Sequence, residues 1–170
     1  MLTRIRTLLI FFALGLLISG ITAFPIEWEA GLLKRLLLDT GLARSIWPAM
    51  AEWIAFVYKG IVETYQAYPF MAYGTDWLAF AHIVIAVAFW GPIRDPIRNI
   101  WVIEFGMIAC VLVLPLALFV GPLRGIPFFW RVIDCSFGIF GIIPLWIAHG
   151  YIRQLLPSQA QAGPSATTAN

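Results

Sequence analysis

Charged residues are scarce in this chain of 170 residues: only 12% are Asp, Glu, Lys or Arg, whereas 61% are hydrophobic. An average soluble domain has about 25% charged residues. A soluble fold of this length could not bury so much apolar surface, because a large share of any soluble surface must be wettable. The scarcity of charge and the mean hydropathy of +0.87 exclude an ordinary soluble domain and predict an integral membrane protein.

Motifs for metals, cofactors and nucleotides are also missing. The two cysteines, Cys110 and Cys135, form no C-x-x-C pair and no zinc-type cluster with histidine. We expect both to be small packing residues at different depths, not a disulfide. His82 and His149 are expected near opposite ends of the spans, which argues against a shared haem iron. No Walker, dinucleotide or Gly-x-Ser-x-Gly frame occurs, and no basic run could bind nucleic acid. We therefore expect no cofactor, no metal and no nucleic-acid partner.

Four apolar segments are present instead, at residues 8–24, 72–91, 101–120 and 132–150. Each has about the 17–20 residues that a helix needs to cross a bilayer, and aromatic residues flank the last three. The first segment follows Arg4 and Arg6 and is expected to be a membrane anchor, with a cleaved signal peptide as the alternative. The sequence thus predicts an anchor at 1–24, a three-helix transmembrane core at 72–153 and a disordered cytoplasmic tail at 154–170.

Residues 25–71 differ from the rest because they hold nine of the chain's twenty charged side chains. Leucines at helical spacing predict an amphipathic helix over 27–42. Ser45 is the expected N-cap of a second helix, with Pro48 in its first turn. This second helix carries Glu52, Lys59 and Glu63. We expect it to lie in the headgroup zone, since each charge in a span costs about 2.5–3.5 kcal/mol, but a spanning helix is the alternative.

The predicted fold is therefore all-α: four transmembrane helices with an amphipathic two-helix extracytoplasmic segment between the first and the second. Four spans place both termini on one side, and Arg4 and Arg6 favour the cytoplasm. With Arg4 and Arg6 included, four spans place five basic residues inside and six outside, so the overall balance of basic charge adds little. We expect a multi-pass protein of the bacterial inner membrane.

Ionisable side chains within or beside spans are functional candidates, because they are expensive there. One layer contains Asp76, His82, Arg131 and Asp134; the other contains Arg94, Asp95, Arg98, Glu104 and His149. We expect His82 to meet Asp134, and Glu104 to meet either Arg98 or His149. Each pair would be a structural polar contact or a proton relay.

Two loops repeat one pattern. Each opens Gly-Pro-aliphatic-Arg, at Gly91 and Gly121, and each leads to Val-Ile-acid, at Glu104 and Asp134; Arg124 belongs to the second loop. This could be an inverted repeat, as in transporters. The alternative, which we favour, is common loop chemistry between two helices.

Three functions remain open. The first is a non-catalytic structural or accessory subunit that packs against partners through small-residue helix faces, with 25–69 as a docking surface. Its partners would be membrane lipid, a second copy or a larger membrane complex. The second is a transporter or channel subunit that uses Glu104 and Asp134. The third is an interfacial membrane enzyme that uses His82, Asp76 and Asp134.

Overall fold

The computed structural model describes residues 1–161, apart from the side chains of Leu42, Ala43 and residues 157–161. This part of the chain is helical and holds no strand. Its α-helices are α1 (Leu2–Ala23), α2 (Ile26–Lys34), α3 (Leu42–Ile46), α4 (Pro48–Ala67), α5 (Ala72–Ala88), α6 (Trp90–Arg94), α7 (Ile100–Pro115), α8 (Gly121–Leu123) and α9 (Phe128–Gln161). Two π-helical segments, Arg35–Asp39 and Leu116–Val120, continue α2 and α7, and one 3₁₀ turn, Pro69–Met71, leads directly into α5.

Four helical stretches are long and apolar enough to cross a membrane: Leu2–Ala23, Pro69–Arg94, Ile100–Leu123 and Phe128–Leu156. The predicted number of apolar helices is thereby confirmed. The first stretch begins before its predicted start, and the other three run past both predicted limits. The second and third extend because Pro92 and Pro122 lie in the first turns of α6 and α8, where a helix needs no N–H donor. Helix α4 is not among the four stretches.

The outer surfaces of these stretches carry large apolar side chains. Phe11, Phe119, Phe137 and Phe140 are each at least 70% exposed. Soluble monomers rarely expose large contiguous apolar patches. Lipid would solvate these rings, so the four helices are compatible with a multi-pass membrane protein.

By internal contacts the chain divides into two compact units. Unit 1 comprises Met1–Leu14 and the described residues from Ala86 onward; unit 2 comprises Gly15–Ile85. In unit 1, helices α7 and α9 pack along each other, with Ile103, Leu145 and Ala148 completely buried. In unit 2, α2 packs on α4, and Leu38, Ala51 and Ile54 are buried.

Glycines let α7 and α9 approach closely. A Cβ at Gly138 would clash with the backbone carbonyl oxygen of Cys110, and one at Gly141 would lie 3.1 Å from the Cys110 Sγ. A Cβ at Gly106 would lie 2.9 Å from the Leu145 side chain. The small-residue face predicted on the fourth span is therefore covered by α7 of the same chain. Within lipid this close packing is a main source of helix association.

Three expectations about secondary structure are corrected. The predicted helix at 27–42 is α2 followed by a π-turn, and it ends before Gly41, whose φ is +73°. Ser45 lies inside α3 and not at an N-cap; the residue before α4 is Trp47, whose side chain makes no capping bond, and Pro48 takes the first helical position. Proline is suited to that position because its φ is already helical.

The third correction concerns the tail. Helix α9 continues to Gln161, so residues 154–161 are helical where disorder was predicted. Ile152 is completely buried and Leu155 is partly buried, so the packed face of α9 extends beyond the predicted span end at residue 150. The rest of the predicted tail, 162–170, lies outside the described residues.

Candidate functional site

Three sets of polar contacts lie towards one end of the helices of unit 1: Arg6 on the end of α6, Asn99 in the loop between α6 and α7, and Glu104 with His149 between α7 and α9. We call this group the polar end; it comprises Arg6, Asp95, Asn99, Glu104 and His149. Apolar helices supply its framework, and the contacts below hold it in place.

Arg6 clamps the end of α6. Its Nε donates to the carbonyl oxygen of Ile93 and its Nη2 to that of Arg94, each at 3.1 Å. The last carbonyls of a helix have no partner within the helix and carry partial negative charge, so a guanidinium is well suited to them. Ile5 and Leu9, both completely buried, hold this turn of α1 in position.

Asn99 fixes the loop that follows α6. Its Nδ2 donates to the carbonyl oxygens of Asp95, at 2.9 Å, and Gly91, at 3.3 Å. The Asp95 carboxylate accepts from the Arg98 backbone N–H at 3.1 Å. A Cβ at Gly91 would lie 3.3 Å from the Asn99 side chain, so the glycine of the Gly-Pro pair makes room for the amide.

Glu104 and His149 form the one hydrogen-bonded pair of ionisable side chains that links two spans in the part of unit 1 that the structure describes. The Oε1 of Glu104 lies 3.1 Å from the Nε2 of His149. Of the two partners expected for Glu104, the structure thus places His149 beside it. A proton on either group can be donated to the other, so the pair can hold one shared proton.

The two members of this pair differ in accessibility. The side chain of His149 is 13% exposed, and that of Glu104 is 48% exposed. Glu104 is the only Asp, Glu, Lys, Arg or His residue between Ile100 and Leu123. It lies about 6 Å along the axis from the start of α7, at 1.5 Å per residue. A half-exposed carboxylate therefore lies on the outer face of an otherwise apolar span.

The second Gly-Pro loop, between α8 and α9, is held by different contacts from the first. A Schellman motif closes α8: the Ile126 N–H donates to the Gly121 carbonyl oxygen at 3.0 Å, and the Gly125 N–H donates to that of Pro122 at 3.1 Å. Gly125 has φ +71°, which a residue with a side chain rarely adopts. A Cβ at Gly121 would lie 2.6 Å from the Arg131 Cδ.

In both loops the glycine of Gly-Pro therefore accommodates a polar side chain from the far end of the loop. The guanidinium of Arg131 lies 5.3 Å from the centre of the Phe128 ring, a cation–π contact. Its Nε is buried and has no hydrogen-bond partner among the residues described. This shared geometry favours loop construction as the origin of the sequence echo, but both explanations of the echo stay predictions.

The other candidates of unit 1 are isolated. Asp134 is partly buried on α9, and within residues 1–161 it has neither a hydrogen bond nor an ion pair. Arg124, Arg94 and Arg98 are exposed. None of these four joins the polar end through its side chain.

Two candidates lie in unit 2. Asp76 lines a cavity of about 290 Å³ together with the aromatic rings of Phe24 and Trp77. The Nδ1 of His82 lies 2.8 Å from the carbonyl oxygen of Leu78, one turn earlier on its own helix. The predicted bond between His82 and Asp134 would join the two units and stays a prediction.

Two members of the polar end were not singled out from the sequence. The sequence marks Arg6 only as a topological charge, and Asn99 carries no charge that would mark it. The available signal was the position of Arg6 inside an apolar helix, where a guanidinium needs acceptors. Among the described residues, no group of three or more His, Cys, Asp or Glu side chains could hold a metal ion.

Comparison of the chain with protein family models, with curated proteins and with solved structures gave no match. Function must therefore be inferred from the residues, since a fold class alone does not imply a function.

Proposed function

We propose that the protein is a non-catalytic accessory subunit of a membrane complex, in which a helix of the partner covers Glu104. The observation that carries the proposal is the half-exposed carboxylate on α7, which stays exposed although His149 already contacts it. A charged side chain that faces lipid costs about 2.5–3.5 kcal/mol at the centre of a span, and less towards the end of the span, where Glu104 lies. Donors from a partner helix would remove part of this penalty.

The internal packing of the chain narrows the choice of surface. Gly106, Gly138 and Gly141 already serve the contact between α7 and α9. A partner would therefore bind the exposed side of α7 around Glu104, where Trp101 and Ile108 are 66% and 58% exposed. A polar side chain on such a face can form a hydrogen bond across a helix interface in the membrane.

We further propose that the four candidate spans lie in the bacterial inner membrane with both termini in the cytoplasm. The hydrogen bonds from Arg6 to the carbonyl oxygens of Ile93 and Arg94 support this orientation, because they hold the start of α1 beside the end of α6. Arg94 ends α6 and Arg98 follows in the next loop, so three arginines lie at one end of unit 1. Clustered arginines favour the cytoplasmic side. Residues 25–71 would then form the extracytoplasmic segment.

The test is native mass spectrometry of the protein extracted gently from its own membranes. Wild type should copurify with a partner at fixed stoichiometry, and both Glu104→Gln and Glu104→Leu should lose that partner. The matched control is Glu63→Gln, because Glu63 is exposed on α4 and pairs only with Lys59, at 3.7 Å. A bare monomer, or a partner retained equally by the Glu104 variants, would overturn the proposal.

A second candidate is a subunit of a proton-coupled transporter, and the 3.1 Å contact between Glu104 and His149 on two apolar helices favours it. Intramembrane acid–histidine pairs are typical of proton relays. In proteoliposomes, Glu104→Gln should then abolish proton flux while the protein stays folded, and Asp134→Asn should do the same. Unchanged flux in both variants would reject the transport function.

A further inference from the structure

An open groove of about 510 Å³ lies in unit 2 between α2, α4 and the start of α5. This volume is within the range of about 300–1,000 Å³ that is typical of ligand sites. The rings of Trp28, Tyr58 and Tyr65 line it, together with the charged side chains of Glu27 and Arg35. The groove thus combines aromatic faces with one acid and one base.

The two charges lie on one face of the same helical stretch. Glu27, Gly31 and Arg35 follow one another at intervals of four residues and all line the groove. This spacing separates the acid from the base by about two helical turns. Gly31 lies halfway between the two charged residues and leaves the groove open beside the Tyr58 ring. A side chain at this position would fill that space, since even its Cβ would lie 3.5 Å from the ring.

Neither charge is neutralised within unit 2. In the described part of the chain, the ion pairs of this unit are Lys34–Asp39, at 3.6 Å, and Lys59–Glu63. Glu27 and Arg35 take part in neither pair. Lys34, whose Nζ lies 5.5 Å from the centre of the Tyr58 ring, adds a positive charge next to Arg35.

The position of the groove along the chain indicates its surroundings. Phe24 directly follows the candidate span Leu2–Ala23, and Ala72 belongs to the candidate span Pro69–Arg94; both line the groove. The groove therefore opens where apolar spans end, which is the level of lipid headgroups.

We propose that this groove binds the headgroup of a zwitterionic phospholipid. Arg35 binds the phosphate, since a guanidinium matches phosphate oxygens with a fork of N–H donors. Glu27 and the aromatic faces of Trp28 and Tyr65 bind the ammonium group. The order of the charges suits one molecule that carries both groups, whereas an anionic lipid would leave Glu27 opposed to negative charge. The site stands whether or not a partner covers Glu104.

The experiment uses the full chain in nanodiscs that contain equal amounts of phosphatidylethanolamine and phosphatidylglycerol. Native mass spectrometry then identifies the lipid that stays bound after ejection. Wild type should retain one phosphatidylethanolamine in about tenfold preference, the effect of one charge-assisted contact. Glu27→Gln should abolish this preference, and Arg35→Gln should weaken retention of both lipids.

Two controls carry the same charge changes outside the groove. Glu29 lies on the same helix as Glu27, Arg44 lies on α3, and neither residue lines the groove. The variants Glu29→Gln and Arg44→Gln should therefore retain lipid as wild type does. Two variants of Gly31 test whether the lipid occupies the groove. Gly31→Trp should fill the groove and exclude the lipid, whereas Gly31→Ala should retain it. Preference for phosphatidylglycerol, a peptide bound in place of lipid, or lipid retained by Gly31→Trp would each overturn the proposal.

Discussion

Gly138 controls how closely α7 and α9 can approach, and its replacement by alanine gives the sharpest test of the packing. The added methyl group would collide with the backbone carbonyl oxygen of Cys110. No side-chain rotation can relieve this collision, so the two helix backbones must move apart. We therefore expect Gly138→Ala to destabilise the protein more than alanine at any other glycine of α9.

Overpacking of a close contact costs about 1–3 kcal/mol. This corresponds to an unfolding equilibrium constant raised roughly 5- to 150-fold. Gly150 supplies the matched control on the same helix, because a Cβ there meets nothing within 4 Å. Gly150→Ala should be neutral or stabilising by up to about 1 kcal/mol, since alanine favours the helix over glycine.

Substitution of Gly141 distinguishes a side-chain contact from the backbone contact at Gly138. A Cβ at Gly141 would lie 3.1 Å from the Sγ of Cys110. Removal of this thiol by Cys110→Ala should therefore reduce the loss of stability that Gly141→Ala causes. The same Cys110→Ala change should not reduce the loss of stability caused by Gly138→Ala, because the methyl group at residue 138 meets the backbone carbonyl oxygen of residue 110. The double-mutant cycles therefore predict coupling for residues 110 and 141 and almost none for 110 and 138.

The assay is reversible unfolding by sodium dodecyl sulfate in mixed micelles, followed by circular dichroism, with all variants in one detergent mixture. Equal stability of Gly138→Ala and Gly150→Ala would refute the packing of α7 against α9. Coupling between 110 and 138 as large as that between 110 and 141 would refute the assignment of the obstacle to the backbone.

Three further substitutions probe the loops, each with hydrogen exchange or unfolding as the measurement. Arg6→Lys keeps the charge but loses the fork that reaches two carbonyls, so amides of α6 should exchange faster, whereas Arg4→Lys should leave them unchanged. Asn99→Ala removes both side-chain hydrogen bonds across the loop and should destabilise by about 1–2 kcal/mol; no loss of stability would contradict this role. Gly125→Ala should destabilise by about 1–2 kcal/mol because its φ is +71°, and Gly74→Ala, with open space around it, should not.

The sequence was sufficient to predict the apolar helices, because an uninterrupted run of about 20 apolar residues has few alternatives. It was less informative about where they end. Ser45 has the chemistry of an N-cap, but the chain is already helical there, and α4 begins at Pro48 after Trp47, whose side chain makes no capping bond. Propensity at a single position is easily overridden by neighbouring packing.

The partners of individual polar groups were harder to predict. Glu104 had two expected partners, and only the three-dimensional packing of α7 on α9 brings His149, 45 residues away, into contact. Arg6 binds carbonyl oxygens, which every residue possesses, so no side-chain pattern marks its partners. Local spacing predicts shared helix faces, whereas contacts between distant segments require the fold.

The π-helical segment Leu116–Val120 follows Pro115, which lacks the N–H that an α-helix would use there. A π-turn closes its hydrogen bonds over one more residue than an α-turn does, so the chain has one residue to spare at this point. Deletion of a single residue from this segment should convert it to α-helix and leave Gly106 and Cys110 facing α9. The same deletion earlier in α7 would rotate those residues by about 100°. Insertions and deletions among homologues should therefore be concentrated between residues 116 and 120.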